Sequence, residues 1–388
     1  MSSLVIEKRR ITENDDYNLS ADRYRVDTTK KHSKYEMVSL EDVFKLSSGR
    51  GLTQQNIIKG QYPVYGGNGI NGYHNEYFIE NPVIVIGRVG AYCGAVQITQ
   101  PKSWVTDNGL YVTNYLIEIN QKYLAYMLSK LELNQFAKVG GQPSISQLTI
   151  YERKIPLPPI SIQQEIVNKI EQYEKIISGA KQVVENYKPQ IDIKEDWEMV
   201  ELGSVLDFVS SGATPLGGSE VYKQEGTMFI RSQNILWGEN DFSDVVFIDN
   251  KTHNEMKRSQ IKQNDILLNI TGASIGRCSI FKNSNEANVN QHVAILRVTD
   301  LISPNYLMQI ILNTTVQTQI WSVQSGGTRQ ALNYSQIKKL KIPLPSLQEQ
   351  ETIVSQIEKE QQLVNANKEL IKIYEQKIKN EINKLWVE

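Results

Sequence analysis

Three loop-like stretches of this chain concentrate side chains that can read another molecule by hydrogen bonding. "FIRSQNILWGEN" holds Arg231, Ser232, Gln233, Asn234 and Trp237, and "NITGASIGR" holds Asn269, Thr271, Ser274 and Arg277. "GGTRQALN" holds Thr328, Arg329 and Gln330. A comparable set lies earlier, with Arg50, Asn68, Asn71, Tyr73, Arg88, Tyr92, Trp104 and Asn108, then Gln142 and Ser144 in "GGQPS". A guanidinium can pair with a guanine edge through two hydrogen bonds, and an Asn or Gln amide can do the same with adenine. Ser, Thr and backbone N–H groups at glycines suit phosphate oxygens. Taken singly, each is an ordinary loop residue. Taken as two sets in two similar settings, they form an inventory suited to nucleic acid.

The residues for bond-making chemistry are missing by comparison. There is no GxxxxGK[ST] loop and no strand–GxGxxG–helix unit. "YGGNGINGY" (65–73) is rich in glycine, but no helical pattern follows it, so it reads as turns that let backbone approach a partner or another loop. An Asn/Asp-Pro-Pro-aromatic motif is absent, and no Ser/His/Asp or Cys/His arrangement is visible. His32, His74, His253 and His292 read as surface or structural residues. Cys93 and Cys278 read as small buried hydrophobes, and the few Cys and His have no zinc spacing. The expectation is a non-catalytic chain with no metal and no cofactor of its own.

The elements that must position these loops announce themselves by repetition. "KIPLPPISIQQEIVNKIEQ" begins at Lys154 and "KIPLPSLQEQETIVSQIEK" at Lys341. Aligned without a gap, Ile155 meets Ile342, Ile166 meets Ile353, Ile170 meets Ile357, and Tyr187 meets Tyr374. Upstream, "YEMVSL" at Tyr35 answers "WEMVEL" at Trp197. The chain is therefore a duplicated unit, domain–helix–domain–helix. Pro156 and Pro158, and then Pro343 and Pro345, force extended backbone before each helix. Ser161 or Ser346 is the expected cap. In the first run Ile166, Ile170, Tyr173, Ile177, Ala180, Val184 and Tyr187 alternate spacings of four and three, a heptad seam. In the second, Ile353, Ile357, Val364, Ile371, Tyr374 and Ile378 hold the matching places, with Glu360 and Asn367 interrupting the stripe. Two matched helices of this kind predict an antiparallel coiled coil.

The two domains carry short β-like runs, "NPVIVIGRVG" (81–90) in the first and "NDILLNITG" (264–272) and "HVAILRV" (292–298) in the second, separated by Gly/Asn/Ser loops. Each domain closes with a short helical pattern, "YLAYMLSKL" and "NYLMQIILN". The fold class expected is α+β, with two loop-rich domains and two long helices. The boundaries are a tail at 1–34, a domain at 35–158, a helix at 159–190, a second domain at 197–345 and a second helix at 346–386.

Composition limits the setting. The 388 residues include two cysteines and carry a net charge of −1, and no run is apolar enough to cross a membrane. "MSSLVIEKRR" has too short an apolar stretch for a signal peptide, so a reducing cytoplasm is expected. A neutral balance weighs against a nucleic-acid binder. The acidic excess sits in the two helical runs, however, which leaves room for a basic face elsewhere.

With its two variable domains, each followed by an "IPLPP…QQEIV" or "IPLPSLQEQETIV" helix, the chain resembles the specificity subunit of type I restriction–modification systems. The second domain's "DILLNITGASIGR…GGTRQALN…IKKLKIPLP" run strengthens that resemblance. The opening "EKRRITENDDYNLSADRY" is similar to a tail found at the C-terminus of partner modification subunits, which is a departure from the family's pattern. The resemblance implies two target recognition domains, each reading half of a bipartite double-stranded DNA site. It implies that the helices space the domains and dock modification subunits, two of them, with restriction subunits added. Adenine methylation with S-adenosylmethionine and ATP- and Mg-dependent cleavage would belong to those partners. The competing expectation is a coiled-coil scaffold whose two domains bind proteins or glycans.

Overall fold

The computed structural model describes residues 34–138, 141–323 and 331–386. Residues 1–33 of the expected tail, together with Thr328, Arg329 and Gln330, lie outside the described residues. The chain divides into two compact units. One is residues 1–181 with 369–388, and the other is residues 182–368.

In the first unit, Phe44–Ser48, Gly109–Tyr115, Ile84–Gly87 and Val96–Ile98 form a four-stranded antiparallel sheet in that order. A smaller sheet joins Gly69–His74, Lys59–Gly66 and Trp104–Val105. The glycine-rich 65–73 segment is thus the turn and return strand of a β-hairpin, as its lack of a helical pattern requires. Phe44, Ile84, Ile86, Leu110 and Val112 pack under the helix Gln121–Lys130, whose Tyr123, Leu124, Met127 and Leu128 face the same core.

The second unit repeats the plan. Leu206–Ser211, Val293–Val298, Ile266–Asn269 and Cys278–Ile280 form its four-stranded sheet, covered by the helix Pro304–Leu312. Val246–Ile248, Thr227–Ile230, Ala287–Val289 and Gln260–Ile261 form its second sheet. Both cysteines are free and buried, and burial raises both thiols above their ordinary range.

Each domain is closed by pairing its first strand with its last. Met37–Ser39 runs antiparallel to Lys154–Pro156, and Met199–Glu201 to Lys341–Pro343. The prolines at 156 and 343 end these two-stranded ribbons, where the missing N–H costs no ladder bond. The long helices start a few residues later, Ile160–Asn186 and Leu347–Asn383. Ser346 caps as expected, its Oγ accepting from the Glu349 N–H at 3.3 Å. Ser161 does not, because Pro159 occupies the position matching Ser346 and its carbonyl takes the N–H groups of Ile162 and Gln163. The first helix stops at Asn186 rather than 190, since Pro189 disfavours helix in the residue before it. The second stops at Asn383 and continues as turns to Trp386.

The seams pair antiparallel within each unit. In the first, Lys169 meets Glu381 at 2.9 Å and Tyr173 meets Tyr374 edge-on with ring centroids 5.3 Å apart. Ile170 is fully buried, and Ile166 and Ile378 pack at the margin of the same core. Ile177 and Ala180 are buried, and Ile371 is half-buried. In the second, Ile357 and Val364 are buried, while Ile353 and Val184 are half-buried. Tyr187 there reaches Glu360 across the seam. The polar interruption at Glu360 is therefore a cross-helix bond, whereas Asn367 donates to Leu363 of its own helix. Among the described residues no helix is long and apolar enough to cross a membrane.

Candidate nucleic-acid interface

One rim of the first unit gathers loops that are distant in sequence. The Arg88 N–H donates to the Asn108 carbonyl at 2.8 Å, and the Arg88 carbonyl accepts from Ile145 at 2.9 Å. Gly90 N–H donates to Pro143 at 2.9 Å, and Gly49 N–H to Gly109 at 3.0 Å. The Arg88 guanidinium reaches Ser48 Oγ at 3.4 Å. The hairpin turn at Gly67 and Asn68 comes close as well. A Cβ on Gly67 would stand 3.4 Å from the Asn108 carbonyl.

Arg88, Tyr92, Asn108, Asn68 and Gln142 are thereby exposed on one rim, with Ser144 half-buried in the bridge beneath it. Asn71 and Tyr73 lie exposed on the return strand of the hairpin. Arg50 lies over the Phe78 ring at 4.3 Å, and its carbonyl accepts from the Trp104 indole N–H at 3.1 Å.

The second unit rebuilds this rim with the same backbone links. Ile270 N–H donates to the His292 carbonyl at 2.9 Å, and the Ile270 carbonyl accepts from Leu332 at 2.9 Å. The turn between strands is also copied. Gly94 N–H donates to Gly87 at 2.8 Å in the first unit, and Gly276 N–H to Asn269 at 3.0 Å in the second. Gly94 and Gly276 take φ of +85° and +87°, and Gly90 and Gly272 take +82° and +68°. These left-handed positions favour glycine, which explains why the same two places in both loops lack side chains. The side chains around them differ. Arg88 corresponds to Ile270, Val89 to Thr271, Tyr92 to Ser274, Ala95 to Arg277 and Asn108 to His292.

Several of the expected readers in the second unit are committed elsewhere. Asn234 is fully buried, and its amide donates to the Asp241 carbonyl at 2.9 Å and to the Asp244 carboxylate at 2.6 Å. Arg231 Nη2 donates to the Asp244 carbonyl at 2.7 Å, and Gln233 also donates to the Asp244 carboxylate. Asn269 is fully buried and donates to the Ser232 carbonyl at 2.8 Å. Asn234 and Asn269 thus shape the rim from beneath, while Arg231 is half-buried and Gln233 stays exposed. Thr271 Oγ1 lies 2.6 Å from His292 Nδ1, and Ser274 Oγ donates to the Thr271 carbonyl at 3.5 Å. Arg277 is half-buried where the turn ends. Trp237 is exposed beside Met308, Leu312, Val184 and Val354, on the helical side of its unit.

The sequence reading missed His292 as part of the rim, because its match to Asn108 rests on the shared backbone links, Arg88 N–H to Asn108 and Ile270 N–H to His292, and not on the spacing of the repeats. It also missed Asp244, the acceptor that organises the Arg231–Asn234 turn.

Residues 32–186 and 194–383 match the family model described as the type I restriction modification DNA specificity domain. The chain is similar to a putative type I restriction enzyme specificity subunit of Haemophilus influenzae, 25% identical over 336 residues. That match covers 80% of this chain and 82% of the relative. It is 29% identical over 259 residues to the EcoBI specificity subunit of Escherichia coli, covering 55% of this chain and 52% of that one. Among solved structures, the S subunit of a type I system from M. genitalium shares the fold, with a TM-score of 0.54 and 15% identity over 91% of this chain and 96% of that chain.

Proposed function

The chain belongs to the family of type I restriction modification DNA specificity subunits, and from that premise we propose how it reads its target. The family places it as a non-catalytic DNA-recognition component that assembles with other restriction–modification subunits, which sets aside the protein- or glycan-binding scaffold. Each of the two units reads one half of a bipartite duplex site through its rim of loops. The long helices hold two modification subunits, and restriction subunits join that complex. S-adenosylmethionine, ATP and Mg are bound by those partners, which methylate adenine and cut.

The observation that carries this reading is the repeated rim. The backbone links at Arg88 and Ile270 are the same, while the side chains that surround them are not. A shared frame with different hydrogen-bonding groups is what two different half-sites require. The backbone contacts to phosphate fix position, and the variable groups supply the sequence information.

Methylome sequencing of a strain with and without the gene tests the reading. The expected result is a methylated adenine within a two-part motif that disappears with the gene. A continuous motif, or no change, would overturn it.

A further inference from the structure

The repeated glutamine of "ISIQQ" and "SLQEQ" is the least expected group in the molecule. Gln163 is 1% exposed and Gln350 is 0% exposed. Gln163 Oε1 accepts from the Asn120 N–H at 2.9 Å, and its Nε2 donates to the Pro158 carbonyl at 2.9 Å. Gln350 repeats this in its own unit. Its Oε1 accepts from the Ser303 N–H at 2.8 Å, and its Nε2 donates to the Pro345 carbonyl at 2.9 Å and to Leu301 at 3.3 Å.

Asn120 and Ser303 are the residues that begin the short helix of each domain. One buried amide therefore ties three things together, namely the start of the domain's own helix, the proline stop and the first turn of the long helix. A second bond reinforces each joint. The Tyr123 hydroxyl donates to the Pro156 carbonyl at 2.8 Å, and the Tyr306 hydroxyl to the Pro343 carbonyl at 3.2 Å.

An apolar side chain of similar size would fill these positions without the cost of burying an amide. What the amide adds is direction. Its donor and acceptor are both engaged, so it holds one orientation, and each bond is expensive to break where water is excluded. We propose that Gln163 and Gln350 are positioning residues that lock each recognition domain onto its long-helix segment at a fixed angle. They thereby set how strictly the protein demands one spacer length between the half-sites. This rests on the reading that each domain contacts one half-site.

The test uses the full chain assembled with its modification subunits. Methyl transfer is measured on duplexes carrying both half-sites, with the native spacer and with spacers one base pair longer and shorter. For Gln163→Leu with Gln350→Leu, the base preferences within each half-site should stay as in the parent. The preference for the native spacer should fall by about tenfold, the scale of one or two lost hydrogen bonds. If that variant fails to assemble, Tyr123→Phe with Tyr306→Phe removes only the hydroxyl bonds of the same joints, and a smaller fall in spacer preference is expected. A folded variant of either pair that keeps the parental spacer preference overturns the proposal. So does one that loses base discrimination while remaining strict about spacing. A parent that methylates a single uninterrupted site would sink the bipartite reading itself, and this proposal with it.

Discussion

The Tyr187 hydroxyl donates to a carboxylate oxygen of Glu360 at 3.1 Å, across the seam between the end of the first long helix and the second. Burial, followed by the bond to Glu360, pushes the Tyr187 pKa up to about 12. Removing the hydroxyl in Tyr187→Phe should cost about 1 kcal/mol, read as a lower urea midpoint. The sign of the pH dependence follows from the raised pKa. The neutral phenol's contribution is complete below the ordinary tyrosine value of 10.0 and is lost as pH rises towards about 12. The stability difference between parent and Tyr187→Phe should shrink over that window. A difference that stays constant would show that the bond does not depend on the phenol proton.

Asp265 is 1% exposed and receives two bonds from Arg297, at 2.8 and 2.6 Å, while also accepting from the Lys262 N–H at 2.7 Å. The Arg297 guanidinium lies over Phe208 at 5.0 Å. Removing Asp265 leaves the half-buried Arg297 guanidinium and the Lys262 N–H without their acceptor, at a cost of about 1–3 kcal/mol. Asp265→Ala should therefore unfold the second unit at temperatures the parent tolerates. Hydrogen exchange should show that loss in residues 182–368 while the first unit keeps its protection.

Arg88 and Asn234 separate reading from support. Arg88→Ala should leave thermal stability nearly unchanged. If Arg88 pairs with a base, the change should cost roughly 1–3 kcal/mol and relax one position of one half-site. If it meets phosphate, all sequences should weaken alike and the salt slope should fall by about one. Asn234→Ala should instead lower the melting temperature, because it leaves the Arg231 N–H and the Asp244 carboxylate without the partner they now share. Arg329→Ala is the matching test in the second domain.

The difference between those two residues marks how far the sequence was legible. The helical seams were readable because their signal is local, an apolar spacing and a proline stop within a few dozen residues. The duplicated plan was readable because the two proline–helix runs align without a gap. Asn234 and Asn269 were misplaced because an Asn in a polar loop looks the same whether it faces water or a buried carbonyl. Ile382, Leu385 and Trp386, the end of the chain, pack in the core of the first unit beside Val167 and Ile170. That contact joins residues about two hundred positions apart, which no local pattern reports. Gln163 and Gln350 stood inside the quoted repeat, but their role depends on N–H groups that only the fold brings to them.

Exchanging residues 35–153 for the equivalent domain of a relative should change one half-site of the methylated motif and leave the other intact. The exchanged span begins at the closing ribbon and ends just before Lys154, so the Met37–Ser39 strand arrives with its own domain and must re-pair with Lys154–Pro156. The register between these strands is set by backbone bonds, which favours tolerance. Methylome sequencing reads the outcome. A change in both half-sites would mean that the domains do not act separately.

The long helices offer a direct test of spacing. The two units meet in sequence between Lys181 and Gln182 and between Lys368 and Glu369. A heptad inserted after Ala180 and another after Asn367 would fall at those boundaries, within one residue of each. The described pairs inside each unit, Tyr173 with Tyr374 and Tyr187 with Glu360, would keep their partners. Seven residues preserve the apolar seam, whereas two would turn seam positions towards solvent. At about 1.5 Å per residue, one heptad adds roughly 10 Å of helix, which along B-DNA at about 3.4 Å per base pair is on the order of three base pairs. The double insertion should therefore lengthen the unread spacer of the methylated motif by about that amount and leave both half-sites unchanged. The two-residue insertion should lower thermal stability instead. An active double-heptad variant that still methylates the original spacing would show that these helices do not set the distance.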